Sequence, residues 1–262
     1  MNWTHMKACV MIPSYNTGPI LKKTVTEALS EWQDVFVIID GSTDGSDDDL
    51  EATATDPSHR LRVNRLPANK GKGAAILAGL TLAIDEGFTH ALTMDADGQH
   101  PAESIKYYME LGEKHPGALV LGKPVFDASV PFIRLEGRKI SNWWANFTTM
   151  WWGINDSLFG MRLYPIIPLR KVFASTFGAR RFDFDPECAI RLCWKGIPVI
   201  NLKTPVRYLT LEEGGVSQFK YVRDNLLLTW MYFRLFFGFI LRCPLLVIRV
   251  IKGGNPLKAE ND

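Results

Sequence analysis

Two aspartates one residue apart, Asp95 and Asp97, follow the short apolar run Ala91-Leu92-Thr93-Met94 and lead into Gly98-Gln99-His100. Carboxylates at i and i+2, leaving a strand and turning at a glycine, can present oxygen to one hard divalent cation, which in turn can hold a diphosphate. Asp and Gly also dominate turns for backbone reasons alone, so the same residues read as a plain acidic turn until their surroundings are considered. Asn69-Lys70-Gly71-Lys72-Gly73 is a second candidate, because a glycine-flanked lysine pair at a helix start can bind phosphate through backbone N–H groups and side-chain charge. A third is Phe182-Asp183-Phe184-Asp185-Pro186-Glu187 ahead of a helix, where capping and the helix dipole also favour acids.

These residues need elements to position them, and 262 residues are enough for one large α/β domain, or one domain with a small appendage. Residues 8–12 form an unbroken apolar run ending at Pro13, the pattern of a strand buried on both faces in a parallel sheet. A helix over 20–32, a strand over 35–39 and the polar turn from Asp40 to Ser46, which can cap a following helix, give a βαβ alternation. A strand over 61–66, a helix over 74–86, the strand ending at Met94, a helix over 101–113 and a strand over 118–122 continue it. Ligands in such sheets sit beyond the carboxyl ends of the strands, so Asp40, Asn69, Asp95 and Asp97 are expected on one rim. After Lys123 the regularity stops. Ile140, Trp143, Trp144, Phe147, Trp151 and Trp152 approximate a helical stripe that suits core packing or a lipid or sugar platform. The loop from Asp156 then enters a short strand near Arg162 to Tyr164, 197–208 is extended, and 212–218 is a glycine-containing loop.

Residues 226–251 are strongly apolar but are interrupted by Arg234, Arg242 and Arg249, leaving no uninterrupted stretch of the ~20 residues needed to span a bilayer. On one helix the three arginines fall within about a quarter-turn of one another. One helix, or two broken near Pro244, lying in a membrane interface with arginines at the headgroups is expected; a domain-packing helix pair is the alternative. With 30 basic and 28 acidic residues the net charge is +2, and no global field argues for nucleic acid. Cys9, Cys188, Cys193 and Cys243 lack metal-ligand spacing and read as buried thiols of a reducing compartment. No charged-then-apolar segment precedes the first strand, so a cytosolic location is expected.

Taken in order, Ile12-Pro13-Ser14-Tyr15-Asn16, Asp40 through Ser46, Asn69 through Ala75, Asp95 through His100 and Asp156 through Arg162 resemble the successive motifs of family-two glycosyltransferases with the GT-A fold. The branch related to dolichyl-phosphate glucose and mannose synthases is the nearer likeness, over about residues 7–220. The resemblance implies a Rossmann-like, mixed but mostly parallel sheet flanked by helices, with a glycosyltransferase domain over 1–222 and an amphipathic membrane-interface tail over 223–262. It further implies that Pro13, Tyr15, Asn16 and Asp40 line a nucleoside pocket, with Lys70 or Lys72 near the nucleotide. Asp95 and Asp97 then hold Mg²⁺ or Mn²⁺ on the diphosphate. His100 is either an additional ligand or a solvated turn histidine. Asp185 occupies the position resembling the family's catalytic base, with Asp156 and Glu187 as rivals, and Arg162 is suited to a phosphate of donor or acceptor. Ile39 and Phe184 depart from the family, which more often carries Asp and Glu at those places.

The expected activity is metal-dependent, inverting transfer of a sugar from a UDP- or GDP-sugar donor to a lipid-linked acceptor, such as a polyprenyl phosphate, at the cytosolic membrane face. Its alternative is a catalytically silent nucleotide-sugar-binding membrane scaffold. A nucleotide-sugar pyrophosphorylase is disfavoured, because Pro13-Ser14-Tyr15-Asn16 is no glycine-rich nucleotide loop.

Overall fold

The computed structural model describes residues 5–126, 132–176, 178–206 and 221–257; the loop expected at 212–218 lies outside them. Strands β1 (Ala8–Ser14), β2 (Asp34–Asp40), β3 (Arg60–Leu66), β4 (His90–Thr93), β5 (Leu119–Val125), β6 (Arg162–Pro165) and β7 (Val199–Pro205) form one sheet in the order β3-β2-β1-β4-β6-β5-β7. The β1–β2, β2–β3, β1–β4 and β5–β7 pairings are parallel, whereas β6 runs antiparallel to both β4 and β5. Reversal of this one strand brings its first residue, Arg162, opposite Thr93 and Leu121. The loop before Arg162 therefore arrives at the same sheet edge as the Asp95 turn.

Side chains alternate across a strand, and the core divides accordingly. Cys9, Met11, Phe36, Ile38, Leu119 and Tyr164 point to one face, where they meet residues of α2 (Lys72–Asp85), α5 (Ile166–Phe173) and α6 (Phe184–Trp194). Val10, Ile12, Val35, Val37, Leu92 and Leu163 point to the other, covered by α1 (Ile20–Glu31) and α3 (Ile105–Lys114). Each fully buried aliphatic side chain contributes about 1.5–3 kcal/mol. This two-faced burial explains why β1 and β2 read as unbroken apolar runs. Three expectations are adjusted. The polar turn after β2 leads only to a single 3₁₀ turn, Leu50–Thr53. Helix α4 (Phe132–Thr148) stops before Trp151, whose φ of 54° follows a φ of 52° at Met150. Cys9, Cys188 and Cys193 are buried free thiols, as expected, while Cys243 is half-buried.

The tail is one helix, α7 (Tyr221–Ile251), continuous through Pro244. Met231, Leu235, Phe239 and Leu246 are buried in the same core as α6, and ring contacts of Trp144 with Tyr232 and of Phe147 with Phe236 and Phe239 join it to α4. Of the three arginines expected at lipid headgroups, Arg234 and Arg249 turn inward, while Arg242 stays exposed over a ring of α6. Arg234 lies 2.8 Å from Glu187, the Arg242 guanidinium lies 4.9 Å over the Trp194 ring, and Arg249 donates to the carbonyls of Cys193 and Trp194. The carbonyls ending α6 are the negative pole of that helix and draw cations to it. Leu226, Trp230, Phe233, Phe237, Leu241 and Ile251 are left exposed on α7.

Glu187, wholly buried, pairs with both Arg191 and Arg234 at 2.8 Å and so ties α6 to α7. Removing it leaves two partly buried guanidinium groups without their counter-charge. Glu187→Ala should therefore cost about 3 kcal/mol of stability, read as a lowered midpoint in urea unfolding.

Candidate active site

At the carboxyl edge of β1, β2 and β4 lies a cavity of about 470 Å³, lined by Pro13, Ser14 and Tyr15 from β1 and its exit, Asp40 from β2, and Asn69, Gly71 and Lys72 at the start of α2. Asp95, Asp97 and Gln99 come from the turn after β4, Arg181 and Phe182 from the approach to α6, and Arg223 from the first turn of α7. Residues far apart in the chain converge here because parallel strands all end on one edge.

Asp40 serves as the cavity's wall and as its brace. Its two oxygens accept the N–H groups of Lys70 and Gly71 at 2.9 and 2.7 Å. Burial pushes its carboxyl above the usual range against those two N–H groups. The loop can pass so close only because Gly71 lacks a side chain: its φ is 99°, and a Cβ would lie 2.4 Å from the Arg180 carbonyl oxygen. Lys70 contributes its N–H, while its exposed side chain lies outside the cavity lining. Asn16 also stands outside the lining. Its Oδ1 accepts from the Thr43 N–H at 2.8 Å and its own N–H donates to Ser42 Oγ at 3.0 Å, stapling two rim loops together.

Lys72 projects from the first residue of α2, and its Nζ lies 2.7 Å from both Asp95 Oδ1 and Asp185 Oδ2. Burial alone would lower its pKa, but the charges of Asp185 and Asp95 outweigh that and hold the ammonium charged. Asp95 is held below the ordinary carboxylate range: burial opposes ionisation, and the Lys72 charge overcomes it. Asp97, beside it, is pushed up to about 7 by burial and by the Asp95 charge, against the Gln99 N–H and the Lys72 charge. Two crowded carboxylates, one of them resisting ionisation, form a hard-oxygen set that fits a divalent cation.

His100 braces this turn. Its Nδ1 accepts the Asp95 N–H at 2.9 Å and its ring packs edge-on to Phe159. Burial lowers its pKa, so the neutral ring carries its proton on Nε2, which faces Asp95 Oδ2 at 3.6 Å. No ring lone pair remains for a metal. Asp156, a rival for the base, is nearly buried; its Oδ1 accepts from Arg138 and from the N–H groups of Leu158 and Phe159 at 2.6–2.9 Å. Glu187 is committed to its two arginines. Arg162 is wholly buried beneath the turn, donating to the carbonyls of Phe159 and Asp185 and to the Tyr164 hydroxyl, and does not reach the cavity. Asp185 itself lies nearly buried behind Lys72, outside the lining.

Two cavity cations escape a reading of motifs. Arg181 lies 3.3 Å from Asn69 Oδ1, and Arg223 pairs with its neighbour Asp224. The dibasic Arg180-Arg181 immediately before the acidic stretch was the signal available for the first. Arg223 had none, because only the packing of α7 brings it to the cavity.

The raised Asp97 pKa has a consequence for stability. Between the ordinary carboxylate value of 3.8 and about 7 the folded protein keeps a proton that the unfolded chain gives up, so this residue's contribution falls as pH rises and levels off above 7. In metal-free buffer, Asp97→Asn should gain thermal stability relative to the wild type as pH climbs through that window. A pH-independent difference in melting temperature would contradict the assignment.

Comparison with known proteins accords with this geometry. The family model described as Glycosyl transferase family 2 matches residues 9–172. A polyprenol monophosphomannose synthase of Mycolicibacterium smegmatis is 27% identical over 218 residues, 81% of this chain and 80% of that protein. An undecaprenyl-phosphate mannosyltransferase of Micrococcus luteus is 26% identical over 225 residues, 80% of this chain and 86% of that one. The crystal structure of glucosyl-3-phosphoglycerate synthase from Mycobacterium tuberculosis with Mn²⁺, UDP-glucose and phosphoglyceric acid shares the fold, with a TM-score of 0.62 at 15% identity over 92% of this chain and 81% of that one. With a family match over more than half its length and the mixed sheet expected of a GT-A enzyme, the chain belongs to glycosyl transferase family 2.

Proposed function

We propose that the protein transfers a sugar, with inversion, from a nucleotide-diphosphate donor to a polyprenyl-phosphate acceptor at a membrane surface. The observation that carries this reading is the Asp95–Asp97 pair on the wall of the cavity, with Lys72, Arg181 and Arg223 around it. Among the described residues no cluster of three or more acidic, His or Cys side chains could hold a metal. Two carboxylates from the protein with the remaining ligands from a diphosphate is how Mg²⁺ and Mn²⁺ are commonly held. Such an ion, when bound, neutralises charge developing on the departing diphosphate. The chain's own part is to seat the nucleoside between Tyr15, Pro13 and the Asp40 wall, and to offer Arg181 and Arg223 to phosphate oxygens.

The acceptor class follows from the carboxylates. An acceptor hydroxyl needs a base to take its proton. Of the carboxylates lining the cavity, Asp40 has both oxygens on backbone N–H groups, Asp95 is paired to Lys72, and Asp97 belongs to the cation set. Asp185, the candidate base, is held by Lys72 behind them. A phosphate is already ionised and asks for no base, in keeping with the acceptors named for the two relatives.

Membrane contact is assigned to the apolar face of α7, Trp230, Phe233, Phe237 and Leu241, continuing to exposed Trp143 on α4. Among the described residues no helix is long and apolar enough to cross a membrane. Because Arg234 and Arg249 face inward, attachment depends on apolar burial more than on headgroup charge.

Protein incubated with undecaprenyl phosphate, Mn²⁺ and a panel of UDP- and GDP-sugars should yield one glycosylated lipid phosphate by mass spectrometry. Asp97→Asn should lower that yield by about 10²-fold or more. Turnover that is indifferent to chelation would reject the metal, and hydrolysis without lipid product would reject the acceptor. Sedimentation with phosphatidylcholine vesicles should persist at about 0.5 M salt and be lost when Phe237 and Leu241 are both changed to Asp; binding that salt abolishes would count against the apolar face.

A further inference from the structure

We infer that Lys72 is an internal counter-cation that occupies Asp95 until a divalent ion arrives and then withdraws onto Asp185. This inference rests on the proposed metal role of Asp95 and Asp97. Asp95 Oδ1 lies 2.7 Å from the ammonium, so a metal ligated through that oxygen and a lysine bonded to it compete for one position. Like charges at such a separation repel strongly in a site sheltered from water. The lysine therefore has to move, and the structure offers it a place. Asp185 Oδ2 already holds Nζ at 2.7 Å, while Asp185 Oδ1 is buried without a hydrogen-bond partner. An ammonium carries three donors, and a small rotation towards Asp185 would satisfy that stranded oxygen while freeing Asp95.

The surroundings keep the exchange local. A Cβ at Gly160 would lie 2.5 Å from Asp95 Oδ2 and 2.7 Å from Lys72 Nζ, so the absence of a side chain there is what lets the pair sit together against β6. The Lys72 side chain is 12% exposed, too enclosed to swing into solvent. The Asp185 main chain is fixed from beneath by Arg162 and so does not follow the lysine. In this arrangement Lys72 is a positioning residue. It shields Asp95 from Asp185 when no metal is bound, and it remains in the cavity wall when the metal is.

The test is Mn²⁺ binding to the full-length protein without substrate, read by electron paramagnetic resonance of the free ion. Lys72→Met should bind Mn²⁺ about tenfold more tightly than the wild type, because its competitor is gone. Asp185→Asn, which removes the place of withdrawal, should bind it more weakly. If Lys72→Met does not fold, as judged by its circular dichroism melt, Lys72→Gln takes its place with the same expected direction. Unchanged or weaker Mn²⁺ affinity in the folded Lys72 variant would overturn the inference while leaving the metal reading intact. Failure of the wild type to bind Mn²⁺ even with UDP would instead bring down the metal reading, and the inference with it.

Discussion

A guanidinium held wholly out of water is the interaction on which the site's geometry depends. Arg162 opens the reversed strand β6; its Nε donates to the Phe159 carbonyl and its Nη1 to the Asp185 carbonyl and the Tyr164 hydroxyl, while Nη2 is buried without a partner among the described residues. Taking such a charge out of water costs several kcal/mol unless it is surrounded by acceptors. Burial would lower its pKa, yet the neighbouring Tyr164 and Asp185 hold it protonated. The result is a single fixed point that joins the loop before β6, the strand itself and the start of α6. Asp185 is held in place by it, and Lys72 from α2 and Asp95 from the turn after β4 meet there.

A second chain of contacts runs from the cavity to the outside of the molecule. Glu187, two residues after Asp185, is bonded to Arg234 on α7, and the first turn of α7 returns Arg223 to the cavity. The helix that carries the exposed aromatic face is thus anchored at one end to the cavity and along its length to the helix bearing Asp185. Cations that a surface helix ordinarily points at solvent serve here to terminate α6 and neutralise a buried glutamate. The helix consequently presents an outer face dominated by Trp, Phe and Leu, with Arg242 exposed beside Leu241.

Much of the first half of the fold was legible because parallel strands covered on both faces leave continuous apolar runs, and the helices between them keep their period. Helix α5 was not, since Pro165 and Pro168 look like breakers in sequence yet fall at its cap and first turn, where a missing N–H costs nothing. Nor was the reversal of β6, because Arg162-Leu163-Tyr164 reads the same in either direction. At the site, residue type identified the acidic pair but could not separate a ligand from a brace. Asp97, Asp156, Glu187 and His100 all carry metal- or proton-binding groups; they differ in what folds against them. Asp156 meets Arg138 and two N–H groups, Glu187 meets two arginines, and only Asp97 faces the cavity with burial and a like charge for company. Arg234 and Arg249 turned inward for the same reason, since the spacing of the tail arginines defined a stripe without saying which side of the helix the core would take.

The distribution of engaged and unengaged oxygens also bears on how such a site divides its labour. With Asp185 bonded to Lys72, the proposed reaction leans on the arrangement of charge around the cavity. That is economical when the nucleophile arrives as a phosphate dianion, whose reactivity is limited by repulsion from the donor's own phosphates. In the proposed reaction Arg181 and Arg223 on the cavity wall, a cation held by Asp95 and Asp97, and the ammonium of Lys72 would all act on that repulsion. Under this reading catalysis rests on screening two like-charged partners while they approach, with the start of α6 held in place by the guanidinium beneath.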